Sequence, residues 1–244
     1  LETLPSYDGE RILLAEDNKT NQLVARELLE GVGLKVAIAN NGHEAVDMSL
    51  DEHYELILMD IQMPQMDGHQ ATEAIRQDRR TQNLPIIAMT AHAMTGDPEK
   101  CLASGMNDHV AKPIDPDLLF QTLTRWLPPS GTTSVQEKSP NTEAIEFADT
   151  LPGIDTVAGL KKLMGNQALY RRILREFRQD HQDAAASILQ LLEQDNHEEA
   201  RHIAHTLKGA AGNLGAMGLS EAASGLEKAI NKEEPLDAPL DAFE

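Results

Sequence analysis

Five short apolar runs, each followed by an amphipathic stretch, constrain the fold of this chain more than any other feature. The runs are apolar throughout rather than at alternate positions, so the strands that they predict are buried on both faces, as in a parallel sheet covered by helices. Right-handed crossovers then give a doubly wound α/β sandwich that binds ligands at the carboxyl ends of its strands. The runs are 12–15, 36–39, 56–59, 85–89 and 109–111, and the helical patterns lie near 19–31, 42–51, 68–77, 98–104 and 115–127.

The second half of the chain predicts a separate, all-α domain. Residues 128–150 lose the periodicity and begin with a cluster of Pro, Ser and Thr, so we expect a linker between a first domain over 9–127 and a second over 151–244. The pattern after the linker is helical only, with short turns between segments, which favours an antiparallel bundle. The tail "PLDAPLDAFE", residues 235–244, predicts the first turn or two of one more helix, so we expect the last helix of the bundle to be truncated at Glu244. The predicted helices are 156–164, 167–193, 196–214 and 217–230.

Charge and cysteine content exclude several classes of protein. The chain has 40 acidic and 21 basic residues and a net charge of −19, which repels nucleic-acid backbones. Its single cysteine, Cys101, allows no internal disulfide and suits a reducing compartment. No apolar run reaches the ~18 residues of a membrane span. We therefore expect a cytoplasmic segment that neither binds nucleic acid nor crosses a membrane, although its parent protein could be anchored in the inner membrane.

Polar residues stand at the ends of four predicted strands. Glu16 and Asp17 follow the first strand, Asp60 ends the third, Thr90 ends the fourth and Lys112 follows the fifth. In a parallel sheet these positions gather at one edge. Three crowded carboxylates raise each other's pKa unless a cation joins them, and hard oxygen ligands suit Mg²⁺. With an added ammonium and hydroxyl, the pocket matches the oxygens of a phosphoryl group.

The motifs "LLAEDN", "LILMDIQMPQMDG", "IIAMTA" and "DHVAKP" resemble those of the response-regulator receiver domain, which has a flavodoxin-like fold, in the same order and spacing. The resemblance implies that Asp60 is the phosphoacceptor and becomes a 4-aspartylphosphate. It implies that Lys112 contacts the acyl phosphate and that the Thr90 hydroxyl hydrogen-bonds to it.

The same resemblance implies a metal site and a switch position. His109 occupies the place where the family often has a switching Tyr or Phe, so the sequence departs from the family's usual aromatic residue here. The Mg²⁺ ligands that the resemblance implies are Glu16, Asp17, Asp60 and the main-chain carbonyl of Gln62.

A histidine in the second domain precedes two glycines within one predicted helix, in "HTLKGAAGNLG", residues 205–215. Interior glycine costs roughly 1 kcal/mol of helix stability relative to alanine, so Gly209 and Gly212 require a reason. On a helical projection His205 lies nearly opposite the apolar stripe, and Lys208 and both glycines share its face. We therefore expect an exposed imidazole with room for another protein's surface, which favours a relay. The apolar stripe consists of Ile203, Leu207, Ala210 and Leu214.

The stretch "ARHIAHTLKGAAGNLGA" resembles the histidine-containing phosphotransfer (HPt) domain, a four-helix bundle, over roughly residues 151–234. The resemblance implies that His205 is the phosphohistidine. A receiver followed by an HPt domain is similar to the C-terminal portion of a hybrid (tripartite) sensor histidine kinase. This similarity implies that phosphate passes from an upstream histidine kinase domain of the same parent chain to Asp60, then to His205, and then to a separate response regulator.

The sequence shows neither a Gly-rich phosphate loop nor a kinase-type ATP lid, so we expect this segment to relay phosphate without initiating the relay. Whether it is an enzyme by itself stays open. An aspartyl phosphatase is one alternative, but it would normally have a second acid where Gln62 stands. The others are a docking or scaffold module that works without phosphorylation, and a reverse relay that drains a downstream regulator.

Overall fold

The computed structural model describes residues 3–90, 97–134 and 151–232. The chain divides into two compact units, 1–144 and 145–244. The first unit is built on a parallel sheet and the second is helical. The predicted fold class, an α/β domain followed by an all-α domain, is therefore confirmed.

The first unit contains a five-stranded parallel sheet in the order β3-β2-β4-β5-β6. The central strands β4 and β5 are buried at every position because helices cover both faces. The strand order reverses at β2, whose neighbours are β3 and β4, and crevices for ligands form at such reversals. The strands are β2 (Arg11–Ala15), β3 (Lys35–Ala39), β4 (Leu56–Asp60), β5 (Ile86–Thr90) and β6 (Asp108–Ala111).

Five helices connect and follow these strands, close to the predicted positions. Several begin at side-chain caps that fix where the chain turns after a strand. Asn18 accepts a hydrogen bond from the main-chain nitrogen of Asn21, and Asp67 forms a capping box with Gln70. These caps hold the loops at the carboxyl edge of the sheet. The helices are α1 (Lys19–Gly31), α2 (Gly42–Asp51), α3 (Gly68–Gln77), α4 (Asp97–Ala103) and α5 (Pro116–Trp126).

A two-stranded antiparallel ribbon joins the segments before and after this sheet. Its strands are β1 (Thr3–Ser6) and β7 (Gly131–Ser134). Both strands lie outside the first domain that we predicted over residues 9–127, and β7 lies within the predicted linker. Neither segment has the apolar alternation that signals a strand. Nearby, the Tyr7 hydroxyl donates to the Leu127 carbonyl at 3.2 Å.

The described part of the second unit, residues 151–232, contains five helices, and α9 contacts the other four. The helix predicted over 167–193 is interrupted at residues 182–183, between α7 and α8. Gly215 ends α9 with a φ of 80°, and a Cβ there would lie 2.3 Å from the Asp155 carbonyl oxygen. The predicted final helix lies outside the described residues. The helices are α6 (Thr156–Lys162), α7 (Gln167–His181), α8 (Ala184–Glu193), α9 (His197–Leu214) and α10 (Met217–Lys232).

Small apolar residues let α9 approach its neighbours closely. Ala200 and Ala204 pack with Ile188 of α8 and with Leu226 of α10.

Throughout the described part of the chain, no helix is both long enough and apolar enough to span a bilayer.

Candidate functional site

The polar residues predicted to gather at the carboxyl edge of the sheet do lie there. Asp60 and Thr90 are the last residues of β4 and β5, and Lys112 follows β6. Glu16 and Asp17 follow β2, and one oxygen from each of these carboxylates and from Asp60 lies within 4.8 Å of the others. Strand order alone explains this arrangement, because the parallel strands end at one edge.

Lys112 connects two of the three acids. Its Nζ lies 2.5 Å from Glu16 Oε2 and 2.7 Å from Asp60 Oδ2. All three side chains are buried, so removal of the ammonium would leave adjacent carboxylates uncompensated in a medium of low polarity. Burial by itself would lower the pKa of Lys112, but the charges of Asp60 and Glu16 raise it above its usual value.

The charge balance of the pocket favours a further cation. Three carboxylates lie close together, and the ammonium of Lys112 contacts two of them. Burial raises the pKa of Asp60 well above its usual range; Lys112 opposes this shift, and Glu16 and Asp17 add to it. An all-oxygen donor set is the kind that Mg²⁺ prefers. Glu16, Asp17 and Asp60 therefore fit the predicted metal site.

Other predicted residues surround the acceptor carboxylate. The main-chain nitrogen of Gln62 donates to Asp60 Oδ1 at 3.2 Å, so the Gln62 main chain lies beside the pocket. The Thr90 hydroxyl is buried and has no hydrogen-bond partner among the residues that the structure describes. A buried hydroxyl without a partner is unusual and suits an oxygen-rich ligand. His109 lies in β6, opposite Ala88 of β5, and 36% of its side chain is exposed.

His205 lies in α9, as predicted, but its expected exposure is wrong. Only 6% of the residue is exposed. The projection assumed one buried stripe, whereas α9 contacts four helices and is buried on several sides between Ala204 and Leu214. Gly209 and Gly212 are also buried, so they do not form the open surface that was expected around the imidazole.

A carboxylate beside the histidine was missed by the sequence analysis. His205 Nδ1 lies 2.8 Å from Oε1 of Glu227 in α10, and Lys208 Nζ lies 3.1 Å from Oε2 of the same residue. Burial would raise the pKa of Glu227, but hydrogen bonds and charges from His205 and Lys208 lower it to about 2.

Comparisons with known protein families agree with this architecture. Residues 12–124 match the model of the response regulator receiver domain, and residues 172–244 match that of the Hpt domain. The chain therefore contains a receiver domain followed by an HPt domain, the two domains that the sequence motifs predicted.

The curated relatives are hybrid sensor histidine kinases. The signal transduction histidine-protein kinase BarA of Escherichia coli (strain K12) is 33% identical over 232 residues, which is 94% of this chain and 25% of BarA. Sensor protein GacS of Pseudomonas syringae pv. syringae is 34% identical over 229 residues, 92% of this chain and 25% of GacS. The chain thus spans about a quarter of the length of these relatives.

Among solved structures, the receiver domain of sensor histidine kinase PA1611 from Pseudomonas aeruginosa PAO1 is 43% identical to this chain. It covers 48% of this chain and 97% of its own, with a TM-score of 0.46. That structure has a magnesium ion coordinated in the active site cleft.

Proposed function

We propose that this chain relays a phosphoryl group through two residues of a two-component phosphorelay. Asp60 accepts it from an upstream phosphohistidine in the presence of Mg²⁺, and His205 exchanges it with Asp60 and passes it to a separate response regulator. The observation that best supports the proposal is the buried cluster in which Lys112 contacts the Asp60 carboxylate within a group of three acids.

The first transfer needs a carboxylate whose charge is controlled. A carboxylate oxygen of Asp60 forms a bond to phosphorus as the nitrogen–phosphorus bond of the donor breaks, and the bonding electrons stay on the donor imidazole. Lys112 faces Asp60 Oδ2 and offsets negative charge on the incoming group. The Thr90 hydroxyl can donate a hydrogen bond to a phosphoryl oxygen, since it has no partner within the described residues.

Glu16, Asp17 and Asp60 would hold the metal, with the main-chain carbonyl of Gln62 as the fourth proposed ligand. When bound, Mg²⁺ neutralises charge on the phosphoryl oxygens and helps to align them. The orientation of Glu16 and the position of Lys112 are properties of the protein itself and are already set by hydrogen bonds.

The second transfer uses the imidazole of His205. Because Nδ1 faces Glu227 Oε1, Nε2 is the ring nitrogen that we assign to the bond with phosphorus. As Nε2 bonds to phosphorus, the acyl oxygen–phosphorus bond of Asp60 breaks and its electrons stay on the Asp60 carboxylate. The Glu227 carboxylate accepts a hydrogen bond from Nδ1 and stabilises the positive charge that forms on the ring. Lys208 holds the second oxygen of Glu227 and fixes its orientation. Since the imidazole is only 6% exposed, transfer also requires that it become accessible when a receiver binds.

The wider setting is part of the same proposal. By similarity to BarA and GacS, we place the chain in the C-terminal part of a cytoplasmic region of a hybrid sensor histidine kinase. An upstream kinase domain supplies phosphate and a separate response regulator receives it. We do not favour the phosphatase, since Gln62 stands where a second acid would be needed.

Labelling with acetyl phosphate tests the order of transfer. The chain incubated with acetyl phosphate and Mg²⁺ should acquire phosphate on Asp60 and then on His205. Asp60→Asn should abolish both labels, while His205→Gln should abolish only the second. Persistent labelling of His205 in the Asp60→Asn variant would contradict the order. Mg²⁺ binding without any phosphoryl uptake would favour a docking module instead.

A further inference from the structure

Both carboxylate oxygens of Glu16 are held by neighbouring groups of the protein. Its Oε2 faces Lys112, and its Oε1 accepts hydrogen bonds from Asn21 Nδ2 at 3.0 Å and from the main-chain nitrogen of Asn18 at 3.2 Å. Its own main-chain nitrogen donates to the Ala39 carbonyl at 3.0 Å. With 1% of the residue exposed, water does not compete for these contacts.

The side-chain amide of Asn21 donates a hydrogen bond to the Glu16 carboxylate on the side away from Lys112. Asn21 sits in the first turn of α1 and is itself buried. Its two polar parts have separate partners. The main-chain nitrogen of Asn21 donates to the Asn18 side chain at 2.9 Å and completes the helix cap, whereas the side-chain amide reaches Glu16. Replacement of the side chain therefore leaves the cap intact.

We infer that Asn21 is a positioning residue for the metal site. Its amide holds Oε1 of Glu16, so that Oε2, the oxygen now facing Lys112, is the one presented to the interior of the acidic cluster. This inference rests on the proposed Mg²⁺ site. Neither sequence motif reasoning nor strand order identified Asn21, because it lies on a helix rather than at a strand end.

The physical reason is the freedom of a glutamate side chain. Glutamate has three rotatable bonds, and binding of a cation must overcome the entropy of ordering them. A carboxylate that is already hydrogen-bonded in the right orientation avoids that cost, and outer hydrogen-bond partners of metal ligands typically change metal affinity by about 10–100-fold when removed. The amide of Asn21 is neutral, so it orients Glu16 without neutralising it.

Gln22, the next residue, has a different task. Its Nε2 donates to the main-chain carbonyl of Glu16 at 2.5 Å and to Asn40 Oδ1 at 3.1 Å. It therefore connects the main chain after β2 to the end of β3 and does not contact the carboxylate. Thr20, on the other side of Asn21, is also buried, and its hydroxyl has no partner among the described residues. Thr20 thus offers a matched control.

Mg²⁺ titration of the full chain by calorimetry tests the inference. Asn21→Leu keeps a similar volume and removes the donor, and we expect it to weaken Mg²⁺ binding about 10-fold. Thr20→Val removes a buried hydroxyl one residue away and should bind Mg²⁺ as the unaltered chain does. Thermal unfolding of each variant without metal shows whether the fold is retained. If Asn21→Leu does not fold, Asn21→Ala gives the same comparison without added apolar volume.

A double-mutant cycle distinguishes positioning from a general structural role. If Asn21 acts through Glu16, Asn21→Leu should have no further effect on Mg²⁺ affinity in a Glu16→Ala background. Equal loss in both backgrounds, or unchanged affinity in Asn21→Leu alone, would overturn the inference while leaving the proposed relay in place. Absence of Mg²⁺ binding by the unaltered chain would instead contradict the metal site of the proposed function.

Discussion

Replacement of Glu227 by Gln tests whether the carboxylate beside His205 takes part in phosphotransfer. The change keeps the size of the side chain and leaves an oxygen that can accept from His205 Nδ1, 2.8 Å away. It removes the negative charge that faces both the imidazole and Lys208. The variant therefore separates the charge of Glu227 from its shape.

The expected size of the effect follows from the pKa of the carboxyl group. His205 and Lys208 lower the pKa of Glu227 from 4.5 to about 2 despite its burial, which corresponds to about 3 kcal/mol of stabilisation of the charged form. The contact with His205 contributes part of this stabilisation, and Lys208 contributes the rest. Positive charge develops on the ring as Nε2 bonds to phosphorus. Loss of the negative charge of Glu227 should therefore slow transfer roughly 10-fold.

The assay uses two variants of this chain. A His205→Gln chain, phosphorylated on Asp60 with acetyl phosphate, is the donor, and an Asp60→Asn chain is the acceptor. The rate of appearance of acid-labile phosphohistidine is measured with and without Glu227→Gln in the acceptor. Glu221→Gln, which removes the same charge from an exposed position in α10, is the control. Equal rates for both substitutions would refute the role assigned to Glu227.

Three further predictions concern the side chains of Lys112, Thr90 and His181. Lys112→Met should lower the free energy of unfolding by about 3 kcal/mol, because it leaves adjacent buried acids unpaired. In urea unfolding of this variant, Mg²⁺ should restore part of the lost stability. An unchanged free energy of unfolding would contradict the pairing. Thr90→Val should leave stability to urea nearly unchanged, since the hydroxyl has no partner among the described residues. It should prevent formation of the acyl phosphate on Asp60 or shorten its lifetime. Normal phosphorylation kinetics would count against a role for the hydroxyl. Burial lowers the pKa of His181, and Asp180 opposes the shift. As the pH falls, the His181 imidazole is therefore protonated in the unfolded chain before it is protonated in the folded chain. The free energy of unfolding should thus decrease as the pH drops below 6.5. His181→Phe should flatten that dependence in urea unfolding at pH 5–7, and an unaltered slope would contradict it.

The sheet and its acidic edge could be predicted from the sequence because both depend on local patterns. Continuous apolar runs identify the strands, and the parallel order places Asp60, Thr90 and Lys112 at one edge wherever the helices pack. The ribbon between β1 and β7 could not be predicted. It depends on pairing of segments more than 120 residues apart, and "TLPS" and "GTTS" resemble loops.

The surroundings of His205 show the limit of reasoning from one helix. A projection of α9 finds its most apolar face, but burial depends on how many neighbours the helix has, and small residues such as Ala204 and Gly209 allow contacts on further sides. Glu227 lies 22 residues after His205. The sequence of an amphipathic helix does not show which partner one of its acids contacts, so only the packing of α10 on α9 reveals the pair.

The most direct test of the account is to follow one phosphoryl group between the two sites. The chain is labelled on Asp60 with a short pulse of acetyl phosphate, the donor is removed, and ³¹P NMR spectra are recorded over time in Mg²⁺. We predict that a phosphohistidine signal grows as the acyl phosphate signal declines, and that His205→Gln removes the new signal. Decay of the acyl phosphate to inorganic phosphate alone, with no phosphohistidine at any time, would contradict the relay.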